Sequence, residues 1–225
     1  MTAAAPKPGA AACFCKEVSM KESNYDITLR RMPGEFLKYD QQRMLRNFRL
    51  EHDADALYLP MLERRYRVDR RSGCISWTVD GQSWTPGGFN DSMTIYDLLC
   101  CAKDGCRLSG RYSRAENLRG AAFGADPAKG LFDAFAARCD HAPEKLACAC
   151  AALGGTRMEM GELSYQLPLF PFLPVILQFW SSDDEFPPSF KLMWDENTLD
   201  FLKFETVCYA AAFLTERLGA KMDRL

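Results

Sequence analysis

Ten cysteines and two histidines carry most of the chemistry this chain could perform. The cysteines fall as Cys13 and Cys15, Cys100 and Cys101, Cys106, Cys139, and Cys148 and Cys150, besides Cys74 and Cys208. No C-x-x-C occurs, and that is the usual spacing of a zinc or redox site. Cys101 and Cys106 have the gap that opens a plant-type iron–sulfur spacing, but Ser109 stands where the third thiolate should fall. Cys100, Cys101 and Cys106 are therefore the candidate set for a metal or iron–sulfur carrier, or for a thiol-dependent enzyme. Against this, Cys100 and Cys101 lie in an apolar helical stretch, where free cysteine behaves as a small hydrophobe.

A cysteine nucleophile needs a base brought to it in space. Only His52 and His141 are available, and Cys139-Asp140-His141 is adjacent in sequence without being oriented by it. Cys106 follows a helix end, where the dipole raises a thiol pKa. No local signature of a cysteine enzyme is present, and the sequence names neither a catalytic residue nor a cofactor.

Binding groups are easier to nominate. Trp77, Trp84, Phe89, Tyr96, Tyr112, Phe179, Trp180 and Trp194 could line a pocket, since such pockets are mostly apolar. Most of them are expected in the core. Trp84 and Phe89 flank Pro86-Gly87-Gly88 and are least explained by packing within a regular element. Lys103, Arg107 and Arg111 surround a glycine-containing segment that could hold a small anion. The candidate ligand set is thus Trp84, Phe89, Tyr96, Arg107, Arg111 and Tyr112. Asp183, Asp184 and Glu185 could face a cation, yet nothing nearby supplies a fixed oxygen cage, so a solvated loop tip is the stronger reading. Gly120, Gly124 and Gly130 are too far apart for a phosphate cradle.

These residues must be positioned by hairpins and helices. From Leu163 to Ser182 no residue is charged, long enough for a membrane span. Pro168, Pro171 and Pro174 exclude a helix there, at about 3 kcal/mol each. An extended proline-rich lead into a buried strand, Val175 to Trp180, is expected instead, paired through an acidic turn with Phe190–Trp194. A second hairpin is expected near 64–78, with Gly73 left-handed. Helices are expected from Pro33 to Phe48, over 92–103 capped by Asp91 or Ser92, over 131–139 and 145–153, and over 198–218 ended by Gly219.

Net charge −2, a pI near 5.8 and only paired basic residues argue against a nucleic-acid surface. Residues 1–20 lack the continuous apolar segment of a signal peptide and are expected to be a disordered tail on one domain, 21–225. A cytoplasmic protein with reduced thiols and no membrane association is expected.

Thr94-Ile95-Tyr96-Asp97-Leu98-Leu99, Ser109-Gly110-Arg111-Tyr112-Ser113 with Glu116 and Leu118, Phe179-Trp180, Asp183–Pro188 and Trp194-Asp195 together resemble the domain-of-unknown-function family 3786. The resemblance covers residues 22 to 218, and the acidic Phe-Pro-Pro stretch is its most specific part. It implies no catalytic residues. It implies a setting in anaerobic bacteria and archaea, in redox or corrinoid-linked metabolism, with a small molecule or a redox protein as partner. Relatives with an added iron–sulfur-type cysteine segment differ from this chain, which lacks it. The expectation is a single α+β domain whose antiparallel sheet is built from hairpins and covered by helices. It is expected to bind a ligand or partner without catalysis, with the thiol enzyme or metal carrier as the alternative.

Overall fold

The computed structural model describes residues 23–121 and 129–225; the expected tail, with Cys13 and Cys15, lies outside them. Among these residues the architecture is α+β, with seven α-helices and two five-stranded antiparallel sheets.

Helix α1 (Asn24–Phe36) starts at Ser23, whose hydroxyl accepts the Asp26 backbone N–H while the Asp26 carboxylate reaches back to Ser23. Pro33, expected to open a helix, lies inside this one, and a second helix, α2 (Gln41–Phe48), begins after Asp40. The split follows from local capping: the Asp40 side chain accepts the Gln42 N–H and starts the second helix afresh.

The first sheet is a meander of β1 (Glu51–His52), β2 (Ala56–Met61), β3 (Arg64–Asp69), β4 (Ile75–Thr78) and β5 (Thr85–Pro86). Its register puts Leu57, Leu59, Tyr66, Val68 and Ile75 inward and Tyr58, Arg65 and Arg67 outward. Gly73 is left-handed as expected, at φ +76°. A Cβ there would stand 2.5 Å from the Pro33 carbonyl oxygen, so only glycine lets α1 approach the hairpin.

Helix α3 (Phe89–Cys101) starts at Gly88 rather than at Asp91 or Ser92, and both of those are buried one turn inside it. It is buried nearly all round, as a helix packed on several sides must be. Helix α1 and a long C-terminal helix flank it, and the first sheet lies against it. Its buried polar groups are paired: Thr94 donates to Asn90 O, and Tyr96 donates to Gly73 O at 2.8 Å.

The second sheet has the order β6 (Tyr112–Arg114), β10 (Ser189–Asp195), β9 (Leu173–Trp180), β8 (Leu163–Phe170), β7 (Thr156–Arg157). The proline-rich lead is itself strand β8, and the ladder slips between Leu167 and Phe170, where Pro168 cannot donate. Helices α4 (Lys129–Asp140) and α5 (Pro143–Ala152) pack on β10 and β8. The expected last helix divides at Leu202 into α6 (Thr198–Phe201) and α7 (Phe204–Met222), and α7 packs on α3 and α5. Gly219 does not end it. The helix runs on, and Gly219 O accepts from Arg138 at 2.8 Å, an approach that its missing side chain allows.

Gly154 and Gly155 close α5 as expected, Gly154 at φ +80° and Gly155 N–H donating to Cys150 O. A Cβ on Gly155 would lie 2.7 Å from that oxygen and 2.8 Å from Leu167 Cδ2. Gly155→Ala is therefore expected to destabilise the fold by about 1–3 kcal/mol, read as a lower urea midpoint at unchanged slope.

Candidate functional site

Helices α1 and α3 and the first two turns of α7 line a groove of about 470 Å³. One end is aromatic. Tyr25 meets Phe89 edge-on at 4.7 Å between centroids, and Phe89 meets Tyr209 in the same manner at 5.2 Å. The other end is polar and holds Tyr39, Asp97, Cys100, Cys101 and Lys203. Helical spacing explains the grouping, because Phe89, Met93, Tyr96, Asp97 and Cys100 recur every three or four residues along α3.

Asp97 joins the two central helices. Its Oδ2 accepts the Lys203 backbone N–H at 2.7 Å just before α7 begins, and its Oδ1 lies 3.5 Å from Lys203 Nζ. The Lys203 ammonium also contacts the Cys101 thiol. That contact, with Asp97, raises the Lys203 pKa above its ordinary value, so the amine stays charged. Burial pushes Cys101 up, with Lys203 opposing and Asp97 reinforcing the shift. Cys100 is pushed up to about 12 by burial, then by its neighbours Cys101 and Asp97. Both sulfurs are thus thiols near neutral pH, and neither histidine lines the groove. The arrangement favours donating hydrogen bonds over nucleophilic attack.

A measurable consequence is the pH profile of alkylation. Cys101 is expected to react with iodoacetamide only at higher pH than glutathione added to the same solution, and Lys203→Met should move its midpoint higher still. Peptide mass spectrometry across pH checks both signs; a Cys101 midpoint below that of the added glutathione would show a thiolate.

The nominated residues are distributed over three places. Phe89, Tyr96, Cys100 and Cys101 converge on the groove. Trp84 stacks on Arg67 on the outer face of the first sheet, and it shares a shallower hollow with Tyr96, Pro86 and Gly87. Arg107, Arg111 and Tyr112 lie at the far edge of the second sheet. There Arg107 O accepts from Asn197, Arg111 pairs with Glu196 at 2.6 Å, and Tyr112 opposes Asp195. Cys106 is half-buried, and Asp200 and Asp104 are its charged neighbours along with Arg43. Among the described residues no group of three or more His, Cys, Asp or Glu side chains could hold a metal ion. The acidic loop tip is exposed, and Asp183 Oδ1 accepts the Glu185 and Phe186 N–H groups.

Sequence reasoning missed Tyr25, Tyr39, Lys203 and Tyr209. Their partners come from elements some 60 to 120 residues away, and no spacing in the chain announces them. Asp97 carried a signal, as a lone carboxylate in an otherwise apolar helix face.

The family model "Domain of unknown function (DUF3786)" matches residues 40–217. The chain belongs to that family. The match spans α2 to α7, so it includes the α3 and α7 walls of the groove, whereas α1 precedes it. No curated protein and no solved structure matches the chain. No helix among the described residues is long and apolar enough to cross a membrane.

Proposed function

We propose that this DUF3786 protein is a non-catalytic accessory protein that binds a small ligand in the groove between α1, α3 and α7. The observation that carries this reading is the convergence there of an aromatic wall and a polar end whose thiols stay protonated. A cytoplasmic setting in anaerobic redox or corrinoid-linked metabolism, with a redox protein as a further partner, belongs to the same proposal. The family resemblance supports that setting, and free thiols at the described cysteines fit it. One contact favours a second reading, a thiol-dependent enzyme: the Lys203 ammonium against Cys101.

Native mass spectrometry of protein isolated without oxygen from its own source tests the first reading. A small molecule retained by the wild type and lost in Phe89→Ala and Tyr209→Leu supports it. Turnover that survives purification and disappears in Cys101→Ser overturns it in favour of the second.

A further inference from the structure

We infer that the ligand of this groove is a planar aromatic anion, a carboxylate in the simplest case; the inference rests on the groove being the binding site. Charge counting alone does not say so, because the lining contains Glu35, Asp97 and Glu205 against Arg31 and Lys203. What matters is which of these groups has bonding capacity left for a guest. Each carboxylate is engaged by the protein itself. Glu35 accepts from Lys38 at 2.9 Å, and Glu205 accepts from the Tyr209 hydroxyl at 2.7 Å. Asp97 is buried and takes both the backbone N–H and the ammonium of Lys203.

The donors are less committed. Lys203 holds its ammonium on a side chain that is 67% exposed, and Asp97 and the Cys101 sulfur leave one of its three N–H groups for a guest. Arg31 lines the groove with Glu35 as a Coulombic neighbour, and the firmer bond of that carboxylate goes to Lys38. The Tyr39, Thr28 and Thr206 hydroxyls and the protonated Cys101 thiol add donors, and the positive end of α7 opens beside them. A guest cation would meet carboxylates that each already accept a bond from the protein. A guest anion meets an ammonium, a guanidinium and hydroxyls.

The aromatic end fixes the rest of the ligand. Tyr25, Phe89 and Tyr209 are joined edge to face at 79° and 81°, so successive rings stand nearly perpendicular. Such a wall offers both an edge and a face to an incoming ring, the two geometries that aromatic pairs prefer. An aliphatic chain would gain only buried area from it.

Titration calorimetry with phenylacetate, benzyl alcohol and benzylamine, which share one ring and differ in charge, tests the inference on the full-length protein. Phenylacetate is expected to bind at least about tenfold more tightly than benzylamine, a ratio worth about 1.4 kcal/mol. Lys203→Met should erase the preference, and Phe89→Ala should weaken all three. Circular dichroism melts confirm that each variant is folded. Equal binding of the three probes, lost in Phe89→Ala, overturns the anion preference and leaves the groove as the site. A preference for benzylamine, or one that survives both Lys203→Met and Arg31→Met, also overturns it. No binding by any probe overturns the aromatic-anion inference, and the co-purified ligand then judges the groove separately.

Discussion

Asp195→Ala is expected to remove about 4 kcal/mol of stability, close to half of what a domain of this size has to lose. The carboxylate is fully buried and accepts three backbone N–H groups: Ser109 and Asn197 on Oδ1, at 2.9 and 2.8 Å, and Gly110 on Oδ2, at 2.8 Å. Hydrogen bonds to a charged group contribute about 1.5–3 kcal/mol each, and a buried N–H left unpaired costs about 1–3 kcal/mol. The three do not add fully, because the segment around residue 110 can relax toward water once released. Asp195→Asn keeps one acceptor oxygen and should cost about half as much. Equilibrium urea unfolding of both variants checks the order. A loss below about 1 kcal/mol for the alanine variant would show that the connection into β6 is held by something else.

The second large effect is expected at Asp91, under the first sheet. Its Oδ2 accepts the Tyr66 hydroxyl at 2.8 Å and lies 3.6 Å from Arg64 Nη1, and both charged side chains are nearly buried, 3% and 11% exposed. The Arg64 guanidinium lies 3.5 Å above the Trp77 ring, so it cannot swing out to water without giving up that stacking. Asp91→Ala leaves this cation nearly buried with only the more distant charge of Glu216 facing it, at a cost of about 3 kcal/mol. Replacing both partners by apolar groups is a different experiment. Buried pairs exchanged for packed hydrophobes are often neutral, so Asp91→Leu with Arg64→Met should recover at least half of the loss. Thermal and urea melts of the single and double variants form a cycle that measures the coupling. No recovery in the double variant would assign the loss to the orphaned Tyr66 hydroxyl instead.

These two carboxylates show how far the chain could be read directly. Trp194-Asp195 stood out as a motif, but its role did not, because the N–H groups it binds belong mostly to a segment about 85 residues earlier. Asp91 was read as a helix cap from its position ahead of an apolar run. The structure starts α3 three residues earlier at Gly88, and Tyr66 and Arg64 claim the carboxylate. In both cases the side chain's partner lies across the fold, and local propensity cannot see it. Pro33 failed for the opposite reason: a favourable first-turn residue was outweighed by the Ser23–Asp26 cap ahead of it and the Asp40 cap behind it.

Periodicity by itself determined the class of this protein. The alternation around Phe190–Trp194, the left-handed Gly73 hairpin, the glycine closure of α5 and the three prolines that forbid a span follow from backbone geometry within a few residues. The groove was decided only in three dimensions. Phe89, Tyr96, Cys100 and Cys101 were legible as candidates, but they were divided between two hypotheses and mixed with Trp84, Arg107, Arg111 and Tyr112, which the fold places elsewhere. Bringing Lys203 onto Asp97 and Cys101 required α7 to dock against α3, a contact between residues 106 apart. Docking of this kind is driven by non-directional burial of apolar surface, which leaves its mark on helix faces but not on the identity of the polar groups carried along with them.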